Sequence, residues 1–239
     1  HGNGTISVQM GGVLDADLVF DAAHGPTQAL PFGSGGTLRF IAGGELGVGY
    51  KRSGSLRIAD GRSVSSGRGT LGYWSGSTGT ATITGTASKW TNSGDLWVGY
   101  FGNGMLNVEN GAQVSNRYGS LGGGAGSTGT AIITGAGSKW TNSGNLFVGY
   151  DGSGVLRVEA GGQVSSSQGY LGVNSTGEAI ITGPGSKWTN FADLRVYVGT
   201  LRIEDGGQVI SPTFADFSKI ERPNDDSKRP ALLSGRKPV

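Results

Sequence analysis

Cysteine is absent from this chain of 239 residues. Its absence excludes a disulfide scaffold, a thiolate zinc site and a cysteine nucleophile. Histidine is scarce too, because the only two, His1 and His24, lie far apart in the sequence. This pattern predicts no metal site, no catalytic triad and no cofactor. No apolar run approaches the ~20 residues that a membrane-spanning helix needs.

Proline and net charge are also low. The chain has 7 prolines beside 48 glycines, and the glycines do not fall at every third position, which excludes collagen. The formal net charge is +2, and residues 211–239 carry all of it, since they hold 6 basic and 4 acidic residues whereas the rest holds 13 of each. A neutral body without a basic stripe argues against nucleic acid as a partner.

The sequence repeats itself at intervals of 50 residues. The heptapeptide GELGVGY at 44–50 returns as GDLWVGY at 94–100 and as GNLFVGY at 144–150. Each unit contains two related halves, because Leu96 aligns with Leu121 and Gly104 aligns with Gly129. The structural period is therefore about 25 residues, which lies in the range of stacked β-solenoid coils.

Within each half, short alternating segments are separated by glycine-containing turns. Leu106-Asn107-Val108 alternates apolar and polar residues, as a half-buried strand does, and Asn110-Gly111 follows as a turn. No stretch has a convincing helical period. The sequence thus predicts an all-β parallel β-helix, or β-solenoid, with no significant helix and about seven coils between residues 44 and 210.

The repeat also predicts three segments. Residues 1–43 read as degenerate coils, with strands at 4–8, 14–21 and 38–41, and residues 44–210 read as the regular coils. Residues 211–239 lack the repeat and contain four of the prolines. They form either a disordered tail or a cap that begins around Phe214–Phe217, because an open solenoid end exposes unpaired strand edges.

The repeats resemble those of AIDA-like autotransporter passenger domains, the self-associating adhesins of Gram-negative bacteria. The resemblance is strongest in the string TGAGSKWTNSGNLFVG at 134–149, continues through 96–114 and 121–142, and includes GPTQALPF at 25–32. It covers roughly residues 1–210 and implies a right-handed parallel β-helix displayed at the cell surface. Such proteins end in a membrane β-barrel, so we expect membrane attachment only through a C-terminal barrel missing from this sequence.

Equivalent positions in stacked coils form columns along the rod. The column of Trp90, Trp140 and Trp188 could stack on sugar rings, but strand alternation favours an interior ladder. The column of Asn92, Asn142 and Asn190 favours a structural ladder of hydrogen bonds between coils. Tyrosines at 50, 100 and 150 are expected to pack at a corner.

Two further columns bear on function. Glu109, Glu159 and Glu204 could suggest glycoside hydrolysis, but they recur with the repeat beside arginines at 57, 157 and 202, which favours surface ion pairs. Trp97 and Phe147 lie between inward apolar residues and are expected to be exposed aromatics about 10 Å apart. We take Trp97, Phe147, Arg57, Arg157 and Arg202 as candidate surface-binding residues.

The sequence therefore predicts a non-catalytic passenger fragment of an extracellular, surface-displayed adhesin. Its expected roles are adhesion, autoaggregation or biofilm formation, through many weak contacts with like rods or with host-surface glycans or proteins. A polysaccharide lyase or hydrolase is one alternative, which needs a cluster of acids and bases outside the repeat. An inert structural stalk is the other, and a uniformly polar rod would favour it.

Overall fold

The computed structural model describes residues 44–215 in full and, beyond them, the strand backbones at 5–8, 12–14, 17–20, 37–40 and 220–221. All of the regular structure in these residues is β-strand. Each coil of the chain supplies three strands, and the coils, in chain order, are β1 (Thr5–Val8), β2 (Gly12–Leu14), β3 (Asp17–Phe20); β4 (Thr37–Phe40), β5 (Glu45–Val48), β6 (Ser53–Ile58); β7 (Ser63–Ser66), β8 (Arg68–Leu71), β9 (Thr78–Thr84); β10 (Lys89–Asn92), β11 (Leu96–Val98), β12 (Asn103–Glu109); β13 (Gln113–Asn116), β14 (Gly119–Leu121), β15 (Thr128–Thr134); β16 (Lys139–Asn142), β17 (Leu146–Val148), β18 (Ser153–Glu159); β19 (Gln163–Ser166), β20 (Gly169–Leu171), β21 (Gly177–Thr182); β22 (Lys187–Asn190), β23 (Asp193–Val196), β24 (Gly199–Glu204); and β25 (Gln208–Ile210), β26 (Thr213–Ala215), β27 (Ile220–Glu221).

In the part of the chain that the structure describes, the strands form three parallel sheets of nine strands each. The first strand of every coil belongs to sheet I (β1 to β25), the second to sheet II (β2 to β26) and the third to sheet III (β3 to β27). Residues 44–210 make seven turns of about 25 residues, as the sequence predicts. At the usual strand spacing the nine coils form a rod on the order of 40 Å long.

Strand alternation fills the interior and leaves polar residues outside. In β12 the exposed or half-exposed positions alternate with buried ones, so that Leu106 and Val108 are fully buried. The turn after β12 is sharp because Asn110 and Gly111 both take left-handed backbone conformations, with φ of 56° and 83°. Asparagine and glycine tolerate this region better than other residues, which explains the pair at this corner.

The interior explains why the sequence repeats every 50 residues although the coil repeats every 25. On sheet I, tryptophan alternates with valine from coil to coil, as in Val114, Trp140 and Val164. On sheet II, leucine alternates with glycine in the same way. A Cβ added to Gly119 would lie 2.9 Å from the indole Cζ2 of Trp140, one coil further on. The indole thus fills space above the glycine of the preceding coil, and two coils form one packing unit.

The structure changes three details of the predicted organisation. On sheet II, Leu96 pairs with Gly119, and Leu121 pairs with Val98, so the alignment of Leu96 with Leu121 is wrong by two residues. The segment predicted as one strand at 14–21 contains β3 and only the last residue of β2, Leu14. β26 and β27 add to sheets II and III, so a further coil continues past residue 210.

Candidate binding surface

The tryptophan column lies in the interior. Trp90, Trp140 and Trp188 have no solvent-exposed surface, and their indoles cannot reach a ligand outside the rod. The Nε1 of Trp140 donates a hydrogen bond to Asn116 Oδ1 at 2.6 Å, and the Nε1 atoms of the other two donate to serine hydroxyls of the preceding coil. Each buried indole N–H is therefore satisfied.

The asparagine column is buried beside the tryptophans. Asn116 Nδ2 donates to Asn142 Oδ1 at 2.6 Å, and Asn142 Nδ2 donates to the carbonyl of Ser165 at 3.2 Å. Asn92 and Asn190 each accept a hydrogen bond from a serine hydroxyl of the preceding coil. These contacts link successive coils through the interior and present nothing to solvent.

The acidic column lies on the outer surface of sheet III with threonines between its members. Glu109 pairs in register with Thr84 and Thr134, so neighbouring glutamates are two coils, or about 10 Å, apart. Arg157 Nη2 lies 3.3 Å from Glu159 Oε2, and Arg202 forms the same pair with Glu204 at 2.6 Å. These are partly exposed ion pairs within one strand, with carboxylates neutralised by arginine.

The candidate arginines and aromatics lie on different sheets. Arg57, Arg157 and Arg202 face outward on sheet III, and Arg57 is four coils from Arg157. Trp97 and Phe147 face outward on sheet II. The structure therefore does not bring the five residues together in one site.

Trp97 and Phe147 belong to an outward-facing column with one residue in every coil, of which the 50-residue period shows only every second member. In register, the column runs through residues of very different size: Thr70, Trp97, Ser120, Phe147, Tyr170 and Arg195. The rings of Phe147 and Tyr170 stack at 4.9 Å with an interplanar angle of 17°. The guanidinium of Arg195 continues this stack, 5.9 Å from the Tyr170 centroid.

Aromatic rings extend from this column over the corner between sheets II and III. One set of rings is in mutual contact at centroid distances of 4.4–6.4 Å and comprises Tyr50, Tyr73, Trp74, Trp97, Tyr100 and Phe101. A second set, at 4.9–6.5 Å, comprises Phe147, Tyr150, Tyr170 and Tyr197. We call the two sets together the aromatic strip.

Most rings of the strip are half-buried against one another. Trp74, Phe101 and Tyr197 are more open, with 47%, 43% and 42% of their surface exposed. Trp97 and Phe147 are half-buried, so the expectation that both are exposed is wrong. Neighbouring rings cover them, Tyr100 over Trp97 and Tyr150 and Tyr170 over Phe147. Each of the two sets is a contiguous apolar patch along the same edge of the rod.

The strip is interrupted at the coil formed by β13 to β15. Where neighbouring coils carry large side chains, this coil carries Ser120, Gly123 and Gly124, which we call the notch. Trp97 leans into it, since a Cβ on Gly123 would lie 2.5 Å from its Cε3 atom. Phe101 leans over Gly124 in the same way, at 2.5 Å from Cδ1.

A cleft of about 300 Å³ remains in the notch between the two sets of rings. Its lining, most of it apolar, consists of Asp95, Trp97, Tyr118, Gly119, Ser120, Phe147 and Tyr150. Ser120 is only 5% exposed, and its hydroxyl has no hydrogen-bond partner among the described residues. Asp95 also borders a more polar depression of about 430 Å³ beside Arg68 and Arg117. The cleft combines aromatic walls with a few polar residues, among them Ser120 and Asp95.

Tyr73 of the strip and Arg195 beside it have shifted pKa values. Burial raises the pKa of the Tyr73 phenol above its ordinary value, and the Glu45 carboxylate raises it further because both groups carry negative charge when ionised. The pKa of Arg195 is raised chiefly by its hydrogen bond to Asp193, at 2.8 Å. Both groups keep their neutral or cationic form at physiological pH.

Nothing in the described residues provides a metal-binding cluster. No group of three or more histidine, aspartate or glutamate side chains close enough to hold an ion occurs in the described residues, and His1 and His24 lie outside that part. Within the same residues, no helix has the length and hydropathy that a membrane crossing requires. Comparison with protein-family models, with curated proteins and with solved structures finds no match.

Sequence reasoning found two members of the cleft and missed the others. Trp97 and Phe147 follow from the 50-residue repeat, whereas Tyr118, Gly119 and Ser120 lie on the intervening coil. The sequence feature that could have revealed these residues is the glycine run at 122–124. The neighbouring coils have GYFG at 99–102 and GYDG at 149–152 in its place. It marks the coil that lacks bulky corner residues.

Proposed function

We propose that this chain is a non-catalytic adhesive rod, part of a surface-displayed adhesin whose β-helix binds through many weak contacts. The observation that carries the proposal is the aromatic strip. It extends along one edge from Tyr50 to Tyr197 as two apolar patches, one on each side of the notch, and exposed apolar patches mark interaction sites on soluble proteins. A stalk that only separates other domains has no need of such a strip.

The periodic architecture supports polyvalent rather than single-site binding. Each coil repeats the same outward positions at about 4.8 Å intervals, so a partner with a matching repeat meets several contacts at once. Linked weak contacts raise avidity steeply without any strong individual site. A second rod and a repeating glycan are both partners of this kind.

The acidic column does not support the alternative of a carbohydrate-cleaving enzyme. Inverting glycosidases need one acid and one base of different pKa, whereas this column repeats the same carboxylate, and Glu159 and Glu204 are each paired with an arginine. A catalytic pair would have to break the repeat, and these residues follow it.

Analytical ultracentrifugation of the full chain over a concentration series, together with clumping of beads coated with the chain, tests the proposal. We expect reversible self-association and concentration-dependent clumping. Replacing two open rings of the strip, with Trp74→Ser and Phe101→Ser, should weaken both.

The matched control is Phe191→Ser. Among residues 44–215, Phe191 is the most exposed large apolar side chain, at 72%, and it lies at the corner between sheets I and II, away from the strip. Serine occupies the equivalent position at Ser93 and Ser143, so the control keeps the repeat intact. If the chain stays strictly monomeric and coated beads stay dispersed, self-adhesion is refuted. If Phe191→Ser weakens association as much as the Trp74→Ser and Phe101→Ser replacements do, the strip is not the surface that associates.

A further inference from the structure

We propose that the cleft in the notch binds a single pyranose ring of a carbohydrate, with Trp97 and Phe147 as its two walls. The inference rests on the proposed adhesive function in one respect, because it names a ligand class for part of the same aromatic strip. Its basis is the stacking geometry around Ser120 and the unsatisfied hydroxyl there.

The stack beside the notch has an empty position. Phe147 and Tyr170 lie in register on adjacent coils with nearly parallel rings, so the stack runs along the rod axis. The other face of Phe147 is directed at the coil of Ser120, where the indole of Trp97 leans over Gly123 and the small side chain of Ser120 leaves the cleft between the two rings. A flat group placed above Ser120 would continue the stack.

The space available fits one ring. Trp97 and Phe147 flank Ser120 on adjacent coils, so their backbones are about 10 Å apart at the usual strand spacing. Because Trp97 leans toward Gly123 of the intervening coil, the room for a ligand is that of the cleft, and its volume of about 300 Å³ lies at the lower end of the range for small-molecule sites. One ring fits between the walls, and two stacked rings do not.

The polar groups select the ligand chemistry. The buried Ser120 hydroxyl needs a hydrogen-bond partner, since an unsatisfied buried polar group is costly. A purely aromatic side chain or a quaternary ammonium ion would leave it unpaired. A pyranose has apolar C–H faces for the two walls and hydroxyls around its edge for the polar lining residues Ser120 and Asp95.

Saturation-transfer NMR on the full chain tests the proposal, with the methyl pyranosides of glucose, galactose, mannose and N-acetylglucosamine as probes and tetramethylammonium chloride as the competing chemistry. We expect at least one pyranoside to bind, with saturation transferred most strongly to the C–H protons of one ring face. Tetramethylammonium should bind less well than that pyranoside.

Three variants locate the binding. Trp97→Ala should weaken the affinity about fivefold to a hundredfold, by analogy with the loss of an aromatic ring that stacks on a nucleobase. Ser120→Ala should weaken it about three- to tenfold through loss of one hydrogen bond. Ser120→Tyr should abolish binding, because the new ring fills the empty position. Trp74→Ala is the control, since Trp74 belongs to the strip but does not line the cleft.

The outcomes separate this inference from the proposed function. Failure of all four pyranosides to bind, binding of tetramethylammonium alone, or pyranoside binding that survives Ser120→Tyr would each overturn the inference. Self-association of the wild-type chain, measured in parallel, reports on the adhesive function instead. A rod that self-associates without binding any pyranoside keeps its proposed function and loses this site.

Discussion

The coupling between Gly119 and Trp140 yields a quantitative prediction about the interior. A Cβ added to Gly119 would lie 2.3 Å from Asn142 Oδ1 and 2.9 Å from both Leu146 Cδ1 and Trp140 Cζ2. Real Cβ contacts are essentially never this short, so Gly119→Ala must displace the asparagine amide, the leucine and the indole together.

The expected cost has two parts. Inserting a methyl group into a well-packed interior costs about 1–3 kcal/mol. Displacing Asn142 also breaks its 2.6 Å hydrogen bond from Asn116 Nδ2 and leaves buried polar atoms unpaired, which costs about 1–3 kcal/mol more. Gly119→Ala should therefore lower the free energy of unfolding by about 2–6 kcal/mol.

A double-mutant cycle tests the mechanism. Trp140→Val should itself cost about 2–4 kcal/mol, because it removes most of a fully buried indole. It introduces the residue that Val114 and Val164 already place in the same column. If the indole fills the space above Gly119, the added methyl is tolerated better once the indole is gone. The double variant should then be about 1–2 kcal/mol more stable than the sum of the single effects predicts.

The assay is urea unfolding followed by far-ultraviolet circular dichroism, which does not depend on tryptophan fluorescence. Additive effects within about 0.5 kcal/mol would refute the shared packing unit. So would a Gly119→Ala cost below about 1 kcal/mol, because the predicted clashes would then have been relieved without loss.

Three further predictions follow. Gly126 has open space around its Cα but a φ of +76°. Gly126→Ala should therefore lower the free energy of unfolding by about 1 kcal/mol in urea, whereas Gly126→Asn should lower it less. Equal losses would contradict the explanation that the cost comes from the left-handed backbone. Ser138→Ala should cost about 1–3 kcal/mol in the same assay, because the buried Ser138 hydroxyl accepts the N–H of Gly111 at 2.9 Å, and a neutral effect would contradict this role. The pKa of Tyr73 is raised in the folded rod, so the folded state holds this proton more tightly and the free energy of unfolding should fall as pH rises above about 10. Glu45→Gln should lower the pKa of Tyr73 in an NMR titration, and an unchanged pKa would show that Glu45 does not contribute to the shift.

The fold was accessible to sequence reasoning because a solenoid is built from local, repeated constraints. Alternation within strands such as Leu106 to Val108, and turns such as Asn110-Gly111, depend on a few neighbouring residues and recur in every unit. The inward direction of the tryptophans followed from the same alternation. Register between coils did not follow, because Leu96 and Leu121 look alike but corners of unequal length place Gly119 opposite Leu96.

The sequence by itself determined the parallel β-helix, its coil length and the outward direction of Trp97 and Phe147, since these depend on periods of two and about 25 residues. The cleft was decided only by the tertiary structure. Ser120 lies between those two rings because stacking brings together residues more than 20 positions apart, and the lean of Trp97 over Gly123 depends on which coil lacks side chains beside it. A repeat determines the columns of a solenoid, whereas a binding site arises where one coil departs from the repeat and its neighbours enclose the gap.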